Sequence, residues 1–218
     1  MVRQANDLSM AQIVARVGVD LESYAQSRGI HLAPLVEALG MKLNDFKDYW
    51  GLINLDKFAR LLDALSTLSG DDCFGLGYAA YLKPGTTGAL SYGYMSAANL
   101  REALNFFMKY NVIAIDLIDQ TIEYNNEKGI YEWNLPNYIM NADQLNDMIA
   151  AATIRNFSAF AGVGWLVREA TFKRSPPRST LLHRTMIASQ VRFGASTNSI
   201  VFDARKLDEP NPRHDPNL

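Results

Sequence analysis

The 218-residue chain has one cysteine, three histidines and no excess of either charge, 23 acidic residues against 21 basic ones for a net charge of −2. Each shortage excludes something. A single cysteine, Cys73, cannot form an intrachain disulfide, so a reducing cytoplasm is expected and Cys73 reads as a small buried residue. The missing basic surplus argues against a self-contained nucleic-acid-binding domain, whose phosphate contacts call for Lys and Arg in excess. No stretch approaches the roughly 18 apolar residues of a membrane span, and no signal-peptide core opens the chain. His31, His183 and His214 are scattered, without the H-x-x-x-H, C-x-x-C or H-E-x-x-H spacing of a metal site, and His183 reads as a surface or packing residue. No G-x-S-x-G elbow occurs. Gly75-Leu76-Gly77 opens a G-x-G that lacks its third glycine, and Asp71-Asp72 fits a helix start better than acid–base chemistry. An enzyme is therefore not expected.

What is present is an ordinary core-forming composition, 48% hydrophobic, 11% aromatic and 20% charged. Residues 1–12 are polar and expected to be loosely ordered. From 13 to 69 the pattern is helical, punctuated by Gly18, Gly29, Gly40 and Gly51. A helix is expected over 55–68, with Phe58, Leu61, Leu62, Leu65 and Leu68 as its inner stripe. Residues 71–88, with Gly75, Gly77, Pro84, Gly85 and Gly88, read as loops and a helix end. Ser96 is placed to cap a helix over 97–110.

Ile113, Ile115 and Leu117 alternate as in a strand, and 121–124 and 130–135 read as a hairpin around residues 125–129. Asn141 and Gln144 have the spacing of a capping box. The helix that follows turns Leu145, Met148, Ile149, Ala152 and Phe160 to one side, with Asn156 on the same stripe. A buried amide must find a partner, either a neighbouring loop or a ligand. Strands are expected at 165–173, 190–194 and 199–203, with a short helix capped by Ser179 between the first two. The fold class is α+β, a helical N-terminal part (13–69) and an α+β part (70–205) with a mostly antiparallel sheet flanked by helices. Residues 206–218 read as a linker, and 1–218 as one domain.

Several runs together carry a family resemblance. They are Asp71-Asp72-Cys73-Phe74-Gly75-Leu76, then Gly88-Ala89-Leu90-Ser91-Tyr92-Gly93-Tyr94-Met95-Ser96, then Leu100-Arg101-Glu102-Ala103-Leu104 with Tyr110. Val191-Arg192-Phe193-Gly194-Ala195, Ile200-Val201-Phe202 and Leu207-Asp208-Glu209-Pro210 follow. In this order the chain resembles the N-terminal "arabinose-binding" domain of a branch of AraC-type transcription regulators. The resemblance spans about residues 13–212 and implies a short strand after Gly88. It also implies a small-molecule effector, a homodimer, and promoter contact only through a C-terminal helix-turn-helix part not present in this chain.

One departure from the family pattern is Phe172-Lys173-Arg174-Ser175-Pro176-Pro177-Arg178, where Arg174 replaces a frequent histidine. Arg174-x-x-x-Arg178 has the R-x-x-x-R spacing of cyclic di-GMP receptors of the PilZ type. Guanidinium forks bind phosphate bidentately and reach guanine N7 and O6, and the two prolines stiffen the loop. Cyclic di-GMP is therefore the leading effector, held by Arg174, Arg178, Lys173 and Ser175, with Arg155, Asn156 and Ser158 as further contacts. The second PilZ element has only a near match, residues 156–162. Other readings stand beside it. The loop is a solvated basic segment, the effector is an amino acid or aromatic acid, or the domain is a ligand-independent dimerisation module. Arg192 either joins the site or packs on the sheet.

Overall fold

The computed structural model describes residues 10–48, 50–83, 85–140, 142–161, 167–211 and 214. Residues 1–9 of the segment expected to be loosely ordered, Pro84, the expected Asn141 cap, the onset of the strand expected at 165, Gly162 and most of the tail lie outside the described residues. So do the side chains of 159–161, Phe160 of the long-helix stripe among them.

Strand β1 (Gln12–Val14) opens the described chain and pairs antiparallel with β2 (Leu52–Asn54). Between them run α1 (Leu21–Gln26) and α2 (Ala33–Ala38). The expected all-helical N-terminal part thus contains a two-stranded sheet. Ile13 and Ile53 are buried across that ribbon, a contact between distant residues that local periodicity does not report. Helix α3 (Leu55–Ser69) is capped by the Asn54 side chain, which accepts from the Lys57 N–H at 2.9 Å, and ends at Gly70 in the left-handed conformation (φ +66°). Phe58, Leu61, Leu62 and Leu65 are buried as expected, whereas Leu68 is exposed.

Residues 71–88 depart from the loop expectation. They contain α4 (Phe74–Tyr81), because Gly75 and Gly77 act as packing residues and not as breaks. A Cβ on Gly75 would lie 2.0 Å from the Gln144 carbonyl oxygen, and one on Gly77 2.1 Å from the Tyr24 hydroxyl. The short strand implied after Gly88 is also a helix, α5 (Ala89–Met95). Helix α6 (Leu100–Tyr110) is capped by Asn99 rather than Ser96, whose hydroxyl donates to the Gly93 carbonyl. The alternating Ile113, Ile115 and Leu117 form no strand. Asn111–Ile113 is a 3-10 turn, Leu117 takes φ +55°, and only Ile115 bridges, to Ile13.

The second half follows its pattern closely. Strands β3 (Asp119–Tyr124) and β4 (Lys128–Asn134) form the hairpin, with a tighter loop, 125–127, held by the Asn125 side chain. Helix α7 (Asp143–Ala161), β5 (Val167–Phe172), α8 (Leu181–Met186), β6 (Gln190–Phe193) and β7 (Asn198–Asp203) complete the chain. Thr180, not Ser179, occupies the cap position of α8. The five-stranded sheet has the order β3-β4-β7-β5-β6, antiparallel except for the β5–β6 pair, which α8 connects. Tyr131, Trp133, Phe172 and Phe202 are buried, and Trp133 Nε1 donates to Asn146 Oδ1 on α7 at 3.0 Å, which sets that helix over the sheet. The fold is α+β with a mostly antiparallel sheet.

Candidate functional site

Helix α7 is the longest element among the described residues, and it serves two different environments. Its N-terminal half carries Asp143 and Asp147 toward the loop that holds the arginine pair. Asp147 and His183 are fully buried, and His183 Nε2 lies 3.2 Å from Asp147 Oδ1. Arg174, with its side chain only 7% exposed, pairs its Nη1 with Asp147 Oδ2 and donates from Nη2 to the Asp72 carbonyl at 3.2 Å, with Asp143 3.8 Å from its Nε. His183 packs edge-on against Phe172 and Phe193. Cys73 lies 3.8 Å from His183 Nδ1, and burial pushes its thiol up to about 11, so it stays protonated at neutral pH.

Arg178 stands apart from this cluster. Its side chain is 73% exposed and forks onto Asp72 at 2.7 and 2.9 Å, while the Arg178 backbone N–H donates to the same carboxylate at 3.0 Å. These hydrogen bonds hold Asp72 down to about 2. Lys173 and Ser175 are exposed on the same loop. The pair read from the sequence is therefore adjacent in space, with both guanidinium groups engaged by carboxylates of the chain itself. Arg155, Asn156 and Ser158 are not brought to it. Arg155 is eight residues beyond Asp147 on α7, about 12 Å of helix rise. Its guanidinium donates to the carbonyls of Ala79, Ala80 and Leu82, closing the C-terminal end of α4. Ser158 is half-buried on the same turn. Arg192 pairs with Glu169 on the neighbouring strand, on the face of the sheet away from Trp133.

The middle of α7, from Met148 to Asn156, faces a cavity of about 90 Å³. Ile13 and Val17 from the N-terminal arm, Leu90 from α5, Phe107 from α6, and Met148 and Ile149 from α7 form apolar walls. Asn156 lines the same space, and among the described residues nothing hydrogen-bonds its side-chain amide. Most of the other polar groups there are already occupied, Thr153 excepted. The Asn111 amide donates to Gln120 Oε1 at 3.0 Å, and Tyr94 donates to Ser91 Oγ at 3.2 Å, its phenol pushed up by burial and hence neutral. An outer space of about 520 Å³, lined by Arg16, Trp50, Val112, Ile113 and Asp116, adjoins the cavity through Thr87 and Leu90, which line both. The sequence pointed to Asn156 as an inward amide. It carried no sign of the arm or of α5 as walls, since these meet α7 only in the folded chain.

The walls of the cavity lead to the end of the described chain. The connection between α5 and α6 is strapped by residues 207–211. Arg101 forks onto Asp208 at 2.7 and 2.8 Å, and its N–H donates to the Leu207 carbonyl at 2.9 Å. The Asn211 N–H donates to the Ala98 carbonyl at 2.7 Å, and its amide to the Met95 and Ala97 carbonyls at 3.2 and 2.9 Å.

The family model for the arabinose-binding domain of AraC transcription regulators, N-terminal, matches residues 29–211. The chain belongs to this family. Its members are regulatory domains of transcription regulators, not an enzyme family. No curated protein matches the chain. Among solved structures, transcriptional regulator CdpR from Pseudomonas aeruginosa is similar with a TM-score of 0.58 over 88% of this chain at 12% identity, a likeness of fold. The AraC-type domain spans 58% of that protein's length. Among the described residues no helix is long and apolar enough to cross a membrane, and no His, Cys, Asp or Glu cluster is arranged to hold a metal.

Proposed function

We propose that this AraC-type domain is an effector receptor whose ligand occupies the cavity between the N-terminal arm, α5, α6 and α7. The observation that carries the reading is Asn156. A half-buried amide without a protein partner among the described residues, facing a mostly apolar cavity, has lost water contacts that only a ligand or trapped water restores. The cavity is smaller than the roughly 150 Å³ apolar cavity that takes up benzene, so it suits a small aliphatic group. Occupancy would set the spacing of α5 and α6, and the strap at 207–211 would pass that change to the DNA-binding part of a longer regulator. On this reading residues 10–211 act as one regulatory unit in a homodimer. Regulation then requires that the effector bind two arrangements of the strap unequally.

The test is a thermal-shift screen of small neutral apolar compounds against the wild type and Ala152→Leu, which fills the cavity. Compounds that raise the melting temperature of the wild type and leave the variant unchanged support the pocket. Equal response of both proteins, or of neither, overturns it.

A second reading takes cyclic di-GMP as effector on Arg174, Arg178, Lys173 and Ser175, with Arg155, Asn156 and Ser158 as outlying contacts. It is favoured by the exposure of Lys173, Ser175 and Arg178 on one loop. A phosphate there would replace Asp72 on Arg178. Calorimetric titration with cyclic di-GMP, with GMP as control, decides it, and absence of heat removes the dinucleotide.

A further inference from the structure

We infer that the effector is a small apolar carboxylic acid carrying a hydroxyl or oxo group on its tail, its carboxylate on Arg16 and its tail oxygen on Asn156. This rests on the cavity being the effector pocket.

The two adjoining spaces differ in chemistry. No charged residue lines the inner one, and Asn156 and Thr153 are polar side chains there for which no hydrogen bond is seen among the described residues, Asn156 offering both a donor and an acceptor. An amide both donates and accepts, so a hydroxyl satisfies it fully and a carbonyl satisfies its donor side. Charge enters only in the outer space, through Arg16 and Asp116. Asp116 has a structural task. Its Oδ1 accepts from the Gln12 N–H, and its own N–H donates to the Gln12 carbonyl at 3.0 Å. This reciprocal pair, with the Val14 N–H donating to the Ala114 carbonyl at 2.8 Å, ties β1 to the segment after α6.

Arg16 is the one cation among the described residues that line either space. It stands on the 3-10 turn Ala15–Gly18, between Val14 in the outer space and Val17 in the inner one. A guanidinium beside the exposed Trp50 ring suits a planar anion that forks onto it, and a carboxylate is ionised at neutral pH.

The experiment is calorimetric titration with hexanoate, its ω-hydroxy derivative, hexanol and hexylamine. It uses the wild type, Arg16→Gln, Asn156→Leu and the cavity-filled Ala152→Leu. In the wild type the hydroxy acid binds tightest and hexanol at least about tenfold more weakly, the amount a charge-assisted hydrogen bond supplies. Arg16→Gln loses about tenfold for both acids and leaves hexanol unchanged, while Asn156→Leu removes the advantage of the hydroxy acid over hexanoate. If hexanol and the acids bind the wild type alike and Ala152→Leu blocks all of them, the pocket stands and the acid inference falls. A preference for hexylamine, or acid binding unaffected by Arg16→Gln, overturns it as well. Binding by none of the four overturns the inference, and the neutral-compound screen then decides separately whether the pocket itself stands.

Discussion

Arg174 and Arg178 are four residues apart on one loop, yet their replacement by alanine should have very different consequences. Arg174→Ala removes the guanidinium that pairs with the fully buried Asp147, beside the fully buried His183. Breaking a buried pair from one side leaves a charge without compensation in a poorly solvated site, which costs about 3–5 kcal/mol. For a domain of this size that lowers the melting temperature by about 6–20 °C. Arg178→Ala removes an ion pair that is 73% exposed on the arginine side, worth under about 1 kcal/mol. Replacing both buried partners with apolar residues, Asp147→Leu with Arg174→Met, should recover most of the loss, since no orphaned charge then remains. Urea unfolding of the four variants gives the free energies, and the double-mutant cycle isolates the coupling. Equal and small effects of Arg174→Ala and Arg178→Ala would refute the argument, and would leave both arginines disposable to the fold, as a purely ligand-binding pair would be.

Three further outcomes follow from the same geometry. Burial raises the Asp63 carboxyl from 3.8 to about 7, so the folded state holds this proton more tightly than the unfolded chain, and the stability it contributes below about pH 4 is lost as pH rises through 7. After discounting for solvent screening this is about 1–2 kcal/mol. Between about pH 5 and 8 the melting temperature of the wild type should therefore fall by about 2–8 °C more than that of Asp63→Asn. A parallel pH profile for the two proteins contradicts this. Gly75→Ala should destabilise by at least about 1–3 kcal/mol, because its Cβ would sit 2.0 Å from the Gln144 carbonyl oxygen and only backbone separation of α4 from α7 relieves the clash. Denaturant titration checks it, and a neutral outcome means the helices are less closely apposed. Arg101→Ala should cost under about 1 kcal/mol but release the strap, seen as faster amide hydrogen exchange at Arg101 and Asn211, whose N–H groups bond across it. Unchanged exchange shows that Asn211 suffices to hold it.

Much of the second half was legible because its signals are local. The β3–β4 hairpin, α7 and the strands β6 and β7 follow from alternation, turn residues and helical spacing within each segment. The misreadings cluster where a residue serves a distant partner. Gly75 and Gly77 look like helix breakers and are contact points inside a helix. Ile113 and Leu117 alternate like strand residues, but the segment pairs with β1 only through the single Ile115–Ile13 bridge, and the side chains of Ile113 and Leu117 are exposed. The arginine pair is the clearest case. Spacing places two guanidinium groups on one loop, and cannot say that Asp147 and Asp72, from other parts of the chain, are already there.

The sequence by itself determined the class of the protein. Its ordered run of motifs led to the AraC-type regulatory domain. It also singled out Asn156, since an amide on an apolar stripe is visible at helical spacing. Tertiary structure alone decided which polar groups are occupied and which face open space. That depends on burial and on partners far away in the chain, brought together only when α7 packs with its first turns over a buried ion pair and its middle beside the arm. Local periodicity carries the direction in which a side chain points, and folding supplies what it meets there.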